Sequence, residues 1–277
     1  MTTSLPATDL PATEVAKAGA VPVSIGAATD VAAANGAGAA GVGDGLRADT
    51  GSWDFSGDVP RVFVDHARRS VPLYDVGHDL VCDLSTCFVG RNGRGLAYEL
   101  GSSTGELLRR LATHGPSNAA TRWIGLDLEA GMTIAAREHC AGLSNVDVFQ
   151  GDVTTMSFER CDFVVAYLTL HFVPLDRRRD VVRRVYEALR PGGALFVFDK
   201  VLAADARLED VVTTLHYRWK RRAGLSPEEI LNKKESLLGV LQPITVEDNL
   251  AMLRAAGFPS VASVLKHLCF EGFVAVK

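Results

Sequence analysis

The feature that most constrains the fold is an alternation of short apolar runs with amphipathic stretches from Leu96 onward. Each apolar run has the length of one strand, and each stretch between two runs is long enough for a helix. This alternation predicts a parallel sheet with helices on both faces. The strand candidates are residues 96–100, 122–127, 146–150, 163–167 and 194–198, and helices are predicted over 105–113, 129–140 and 176–189.

Two further β-like runs, residues 261–265 and 269–276, close the chain. They lie close together in sequence, so we expect them to pair as an antiparallel hairpin at the sheet edge. The predicted fold is therefore a doubly wound, Rossmann-like α/β domain with a seven-stranded, mostly parallel sheet and a terminal antiparallel hairpin.

The chain divides into three regions by composition. Residues 1–50 are rich in Ala and Gly and contain no aromatic residue, which predicts a disordered tail because little apolar surface offsets the ordering entropy. Residues 51–95 predict a helical cap of two helices hinged at Pro72. Residues 96–277 form the sheet domain, with a polar helical insertion at about 205–240.

Composition also excludes several classes of protein. The five cysteines include no CxxC pair, which argues against a disulfide framework or a thiolate zinc site, and no metal site is predicted. No apolar run reaches the roughly 20 residues of a membrane helix. With a net charge of −4 at pH 7, the basic runs read as solvated helix faces rather than as a nucleic-acid surface. We expect a cytoplasmic protein without membrane partners.

A glycine-containing turn follows the first strand of the predicted sheet domain. Gly101 allows a tight turn and close approach of a ligand, and Gly105 lets the next helix begin against the strand. The spacing is not the GxGxxG of dinucleotide folds. Glu99, two residues before Gly101, suits the ammonium group of a cationic ligand, with Ser102 in the same loop. A turn without a ligand is the alternative interpretation.

Acidic residues also follow the second and third strands. Asp127, followed by Leu128, is placed to accept both hydroxyls of a ribose, although it also suits a cap for the next helix. Asp152 can accept the amino group of an adenine while Val153 covers the ring, although a polar turn gives the same pattern. Because all three loops lie at carboxyl ends of parallel strands, together they favour an adenosyl ligand.

In these motifs, the chain resembles class I methyltransferase-fold proteins from about Arg61 to the end. More narrowly, it looks like the carboxy-S-adenosylmethionine synthases of tRNA wobble-uridine modification. The resemblance implies S-adenosyl-L-methionine as the cofactor, bound also by Tyr74 and Tyr167, and a homodimer. The matching stretches are RSVPLY at 69–74, ELGSSTG at 99–105, TLHF at 169–172, PGGAL at 191–195, and LHY, KR and KK at 215–217, 220–221 and 233–234.

Three positions depart from the pattern of that family. Ser102 replaces a cysteine and Tyr167 an asparagine. Lys234 stands where the family has the arginine that holds the extra carboxylate of carboxy-S-adenosylmethionine, and lysine lacks the planar two-pronged grip of arginine. A looser resemblance, to 2-oxo-acid C-methyltransferases of peptide-antibiotic pathways, is compatible with these changes.

A methyl transfer to carbon or oxygen requires an aligned nucleophile and removal of a proton. The candidate bases are His171, after the fourth strand, and His216, in the helical insertion, since histidine titrates near neutral pH. A buried, satisfied histidine is the alternative for His171, and a metal shared by the two is another. Arg69 and Lys234 are candidates for a substrate carboxylate, and Tyr217 for a further substrate contact.

The sequence thus supports three hypotheses about function. The first is a methyltransferase of secondary metabolism that acts on a small, acidic, 2-oxo-acid-like substrate. The second is a carboxy-S-adenosylmethionine synthase, for which prephenate is consumed and a heavier sulfonium product forms. The third is a non-catalytic S-adenosylmethionine-binding module that regulates a partner.

Overall fold

The structure is a computed structural model that describes residues 40–90 and 95–277. Strands in this part of the chain are β1 (Ala40–Gly43), β2 (Leu46–Ala48), β3 (Gly95–Leu100), β4 (Thr121–Asp127), β5 (Val146–Gln150), β6 (Cys161–Tyr167), β7 (Leu189–Lys200), β8 (Ser260–His267) and β9 (Phe270–Val276). Helices are α1 (Val59–Ser70), α2 (Tyr74–Thr86), α3 (Glu106–Thr113), α4 (Gly115–Ala119), α5 (Ala130–His139), α6 (Leu175–Ala188), α7 (Ala206–Arg222), α8 (Pro227–Ser236) and α9 (Val246–Ala255).

Seven of these strands form one sheet in the order β5-β4-β3-β6-β7-β9-β8. Neighbours from β5 to β7 are parallel, whereas β9 pairs antiparallel with both β7 and β8. The predicted fold class is confirmed, including the terminal hairpin. The carboxyl ends of β3, β4, β5 and β6 meet at one edge of the sheet because these four strands are parallel.

Helices cover both faces of the sheet, as the two core clusters show. Phe163 and Val165 of β6 belong to the cluster that includes residues of α2 and α3, whereas Val164 and Ala166 belong to the cluster that includes α6 and α9. Alternate residues of a strand point to opposite faces. The uninterrupted apolar sequence of β6 therefore reflects burial on both sides.

Helices occupy the described parts of the regions expected to form the helical cap and the insertion. α1 ends at Ser70 and α2 begins at Tyr74, so Pro72 lies in the hinge between them. In the insertion, α8 begins with a capping box in which Ser226 and Glu229 each satisfy the backbone N–H of the other. No helix within residues 40–90 and 95–277 is long and apolar enough to cross a membrane.

The structure differs from the expected disordered tail at its end. Residues 40–48 form the antiparallel hairpin of β1 and β2, and residues 1–39 lie outside the described residues. Val42 and Leu46 of this hairpin are buried in a small cluster with Trp53, Val59 and Met132. The physical reason is tertiary, since the apolar surface that orders the hairpin comes from α1 and α5.

The terminal hairpin carries a buried charge. Lys266 of β8 lies opposite Glu271 of β9, and its Nζ donates a hydrogen bond of 2.6 Å to the Glu271 carboxylate. The Glu271 side chain is 3% exposed, whereas that of Lys266 is 58% exposed. The charge of Lys266 therefore stabilises a carboxylate that is buried away from water.

We expect Lys266→Met to lower the free energy of unfolding by about 1–3 kcal/mol, because it leaves the buried carboxylate without its partner. Urea unfolding of Lys266→Met, Glu271→Gln and the double variant gives the coupling energy between the two side chains. In the Glu271→Gln background the lysine substitution is expected to cost less. Equal costs in both backgrounds would show that this pair does not stabilise the hairpin.

Candidate active site

The carboxyl ends of β3, β4, β5 and β6 border one cavity of about 580 Å³. Its size suits a small organic ligand. Phe55, Phe63 and Phe172 contribute aromatic surface to its wall, and Met132 of α5 lines it as well. Sequence analysis missed these four residues because they come from separate segments that only the fold brings together.

The loop after β3 presents two polar atoms that have no partner. Glu99 and Ser102 are buried, and neither Oε2 of Glu99 nor Oγ of Ser102 has a hydrogen-bond partner among the described residues. Burial raises the pKa of Glu99 well above its usual value, and the nearby charge of Asp127 raises it further. A cationic ligand at this loop would favour the ionised carboxylate.

The two glycines of this loop have different roles. Gly101 lines the cavity with φ +71°, and a Cβ there would collide with the side chain of Thr169. Gly105 is outside the cavity lining, and its Cβ would lie 3.1 Å from Cα of Ala136 in α5. Gly101 therefore lets the loop pack against Thr169 at the cavity border, whereas Gly105 allows α5 to pack closely.

Asp127 lies at the end of β4 and organises the neighbouring loops. Its carboxylate accepts hydrogen bonds from the backbone N–H of Ser103 at 2.7 Å and of Glu129 at 3.0 Å. Burial raises its pKa, and these bonds oppose that rise. A carboxylate has lone pairs for about four hydrogen bonds. Asp127 thus retains acceptor capacity for a diol in the cavity.

The other predicted contacts of an adenosyl group also line the cavity. Leu128 is 62% exposed at its border, which is unusual for a large apolar side chain. Asp152 accepts the N–H of Thr154 with Oδ1 at 2.7 Å, and Val153 follows it in the lining. The fold therefore brings these three residues and Asp127 around one space.

Tyr74, His78 and Tyr167 form an aromatic group in the cavity wall. The His78 ring centroid is 4.4 Å from that of Tyr74 and 4.7 Å from that of Tyr167. The Tyr167 hydroxyl donates a hydrogen bond of 2.8 Å to the carbonyl of Tyr74. Gly77 makes room for this arrangement, since a Cβ there would collide with the Tyr167 hydroxyl. Tyr167 is thus positioned by α2.

His78 is a cavity residue that sequence analysis missed. It follows Tyr74 by four residues, so both lie on one face of α2, and this spacing was the available signal. Burial lowers the pKa of His78 to about 3, so the ring is neutral near neutral pH. Its Nδ1 atom has no hydrogen-bond partner among the described residues. His78 therefore offers a neutral imidazole beside the two phenols.

The two predicted bases are buried and do not line the cavity. His171 accepts the backbone N–H of Lys200 with Nδ1 at 2.9 Å, and its pKa is lowered well below the usual value by burial. The Nε2 of His216 lies 3.0 Å from the carbonyl of Ser70, and burial lowers its pKa to about 3. Their catalytic role stays a prediction.

The predicted substrate residues also lie outside the cavity lining. Arg69 forms an ion pair with Asp44 of the β1–β2 turn. Lys234 is exposed on α8, and Tyr217 lies beside His216 on α7 with a ring-centroid distance of 6.5 Å. No group of three or more His, Cys, Asp or Glu residues in the described chain is placed to hold a metal ion.

Carboxyl groups outnumber basic groups in the lining of the cavity. Among the described lining residues, Arg177 is the single lysine or arginine, and it lies 3.5 Å from the carboxylate of Asp176. A lining of this sign attracts cations and repels anions. The carboxylic residues are Glu99, Glu106, Asp127, Glu129, Asp152 and Asp176.

Comparison with known proteins gives consistent results. A family model described as a methyltransferase domain matches residues 97–193. The chain is 34% identical over 230 residues to a carboxy-S-adenosyl-L-methionine synthase of Wolinella succinogenes, covering 81% of this chain and 93% of that protein. It is 31% identical over 226 residues to the Staphylococcus epidermidis protein of that name, covering 81% of this chain and 97% of that one.

Solved structures show the same fold at lower sequence identity. Human N-acetylserotonin methyltransferase in complex with SAM matches with a TM-score of 0.56 and 16% identity, over 80% of this chain and 57% of that one. A putative methyltransferase of Haloferax volcanii, in complex with its Trm112 activator, matches with a TM-score of 0.53 and 16% identity, over 79% of this chain and 95% of that one.

The residues of the cavity fit S-adenosyl-L-methionine. The unpartnered oxygen atoms of Glu99 and Ser102 provide acceptors for an ammonium group at the loop after β3. Asp127 has acceptor capacity for the ribose, and Asp152 with Val153 suits the adenine. The acidic lining favours the positively charged sulfonium.

We expect the binding of S-adenosylmethionine to release a proton from Glu99. Because burial raises the pKa of Glu99, its carboxyl stays protonated above its usual pKa, and the ligand ammonium favours the ionised form. Affinity should therefore rise with pH through the raised pKa. Calorimetry at one pH in buffers of different ionisation enthalpy measures the released proton.

Two variants test this assignment. Glu99→Gln should abolish the proton release, and Glu129→Gln, at another lining carboxyl, should retain it. In the ligand-free protein the raised pKa makes stability fall as pH rises through it, and Glu99→Gln should remove that dependence. Identical proton release by wild type and Glu99→Gln would refute the role of Glu99.

We expect Gly77→Ala to lower stability by about 1–3 kcal/mol through overpacking, although alanine favours a helix interior over glycine by about 1 kcal/mol. Tyr167 cannot move aside easily, because it is hydrogen-bonded to Tyr74 and its ring stacks on Phe198. Removing the hydroxyl in Gly77→Ala/Tyr167→Phe should restore most of the loss. Thermal unfolding of the wild type, of Gly77→Ala, of Tyr167→Phe and of the double variant measures these changes in stability. A stabilised Gly77→Ala single variant would contradict the packing described.

Proposed function

The chain belongs to the carboxy-S-adenosyl-L-methionine synthase family, on the class I methyltransferase fold, and on that premise we propose that it carboxylates S-adenosyl-L-methionine. The observation that carries the proposal is the extent of the match, which covers 93% and 97% of two named synthases at 34% and 31% identity. The sequence motifs that resemble this family include LHY, KR and KK in the helical insertion, which the general fold does not require.

S-adenosylmethionine supplies a methyl group that is activated by the adjacent sulfonium. In the proposed complex, Glu99 binds the ammonium group and Asp127 the ribose hydroxyls. Asp152 and Val153 bind the adenine, and Tyr74 contacts the amino-acid end. Phe55 and Phe172, whose rings meet edge to face at 5.1 Å, shield this space from water.

A second function, methyl transfer to a small molecule, is favoured by the departures from the family. Tyr167 replaces an asparagine in the cavity wall, and Lys234 replaces the carboxylate-binding arginine and is exposed outside the cavity lining. These changes affect the residues that would distinguish a carboxylated from an ordinary cofactor.

One basic residue in the cavity supports an acidic, 2-oxo-acid-like substrate for this second function. Arg177 is the guanidinium in the lining, at the start of α6. Under this proposal Arg177 takes the role that sequence analysis gave to Arg69 and Lys234. The surrounding carboxylates limit the site to a substrate whose acidic group reaches Arg177.

The two functions differ in their products. The purified protein is incubated with S-adenosylmethionine, with and without prephenate, and the products are identified by mass spectrometry. In carboxylation, prephenate loses its ring carboxyl group as carbon dioxide and its ring hydroxyl as hydroxide, and becomes the aromatic 2-oxo acid phenylpyruvate. The sulfonium methyl gives a proton to that hydroxide, forming water, and its carbon bonds to the carbon dioxide. The sulfonium product is therefore heavier by the mass of carbon dioxide, and it appears only when prephenate is consumed. Methyl transfer gives S-adenosylhomocysteine and a methylated acceptor, so the assay is repeated with a panel of 2-oxo acids.

Variants of Asp127 and Lys234 test whether the products depend on the proposed site. Asp127→Asn should abolish either reaction because it removes a ribose contact. Lys234→Arg should increase carboxylated product if residue 234 holds the added carboxylate, and Lys234→Ala should reduce it. Tight binding of S-adenosylmethionine without any turnover would refute both functions and leave the regulatory module. The homodimer, the cytoplasmic location and a role in secondary metabolism stay predictions.

A further inference from the structure

The segment that follows β5 carries the residues assigned to the adenine. In the described chain, residues 151–160 connect β5 to β6 without a helix or a strand. Residues 151–154 of this connection line the cavity, and they include Asp152 and Val153. Because no ladder of backbone hydrogen bonds fixes the segment, its position depends on the other partners of its N–H and C=O groups. Residues 151–156 form the β5–β6 turn.

The N–H groups of the β5–β6 turn converge on Asp152. The Thr154 N–H donates to Oδ1 of the Asp152 side chain at 2.7 Å. The N–H groups of Thr155 and Met156 each donate to the Asp152 carbonyl at 3.0 Å. These bonds orient the Asp152 carboxylate within the turn and leave lone pairs for a ligand. They join residues of the turn to one another, so they do not set where the turn lies in the cavity.

The carbonyl groups of the turn converge on Arg184 of α6. Its Nη2 donates hydrogen bonds of 2.9 Å to the carbonyls of Val153 and Thr154. Its Nη1 donates to the carbonyl of Met156. A guanidinium has five N–H donors in a planar fork, so one arginine can hold three carbonyls at fixed angles. Arg184 is outside the described lining of the cavity, and it therefore holds the turn without touching a ligand there.

Arg184 is itself fixed on α6. Its Nε donates a hydrogen bond of 2.9 Å to Oδ2 of Asp180, four residues earlier on the helix. Its guanidinium carbon lies 5.7 Å from the centroid of the Phe158 ring. Val181 and Val185 anchor α6 in the core cluster that includes residues of β6. One side chain thus connects the ligand-facing turn to the core of the domain.

We propose that Arg184 is a positioning residue for recognition of the purine. By holding three carbonyls of the β5–β6 turn, it fixes Asp152 where the carboxylate accepts the 6-amino group of an adenine and Val153 covers the ring. Loss of the guanidinium frees the three carbonyls, and the direction of the Asp152 carboxylate is then no longer fixed. The inference rests on the adenine site of the proposed function, but it does not depend on which group the protein transfers.

The experiment compares S-adenosylhomocysteine with S-inosylhomocysteine, whose purines carry a 6-amino and a 6-oxo group respectively. Isothermal titration of the full-length wild type should show about tenfold or more tighter binding of the adenosyl compound. Arg184→Met should weaken binding of the adenosyl compound by about tenfold and bring the two Kd values within about threefold of each other. Arg184→Lys should give an intermediate ratio, because it keeps the charge but loses the fork.

The matched control is Arg183→Met. Arg183 is the neighbour of Arg184 on α6, its side chain is 52% exposed, and it also pairs with Asp180, at 2.5 Å. The substitution removes the same charge from the same helix but leaves the hydrogen bonds to the turn intact. Arg183→Met should therefore keep both wild-type Kd values.

A change of background separates positioning from stability. In Asp152→Asn the side-chain oxygen can still accept the Thr154 N–H, whereas the NH2 group donates to a 6-oxo purine. This variant should shift the preference towards S-inosylhomocysteine. Adding Arg184→Met should move the ratio of the two Kd values back towards one, which is opposite to its direction in the wild type. A role in stability alone lowers the temperature of unfolding and leaves the ratio unchanged in both backgrounds.

Three results would overturn the proposal. They are an unchanged ratio in Arg184→Met, an equal loss of preference in Arg183→Met, and equal binding of the two compounds by the wild type. The last result would also remove the adenine from this turn. The proposed reaction is decided separately, by the masses of the products formed from S-adenosylmethionine.

Discussion

The buried carboxylate of Glu99 is the constraint on which the active site depends. It lies at the end of β3, with β4 and β6 on either side, and one of its oxygens has no partner in the described chain. A carboxylate in this position destabilises the ligand-free protein once it ionises. A ligand ammonium at this position would offset that cost by favouring the ionised carboxylate.

Acidic and basic side chains are concentrated in two different places in the molecule. The cavity at the strand ends is lined by carboxyl groups and suits a sulfonium compound, whereas Lys220 and Lys233 are buried outside its described lining. Trp53, whose ring lies under Nζ of Lys233, meets Phe55 of the cavity wall.

Three aromatic side chains of the cavity wall depend on one another for their positions. Tyr167 is accommodated because position 77 is glycine, and its hydroxyl bonds to the backbone of Tyr74, which starts α2. His78 fills the space between the two phenols. The glycine at position 77 is therefore what leaves room for the Tyr167 hydroxyl in the cavity wall.

The sequence alone determined the sheet, because strand and helix periodicities are local. It also placed Glu99, Asp127 and Asp152 at one edge of the sheet, because parallel strands end there, and the structure shows that all three line one cavity. It did not determine which helical residues face the cavity. His171 and His216 match the sequence pattern of bases, yet the structure places them outside the lining, whereas His78 lies within it. Likewise, the order of residues 40–48 and the burial of Lys233 beside exposed Lys234 depend on packing between distant segments. Only the tertiary structure decides such contacts, since no local periodicity encodes them.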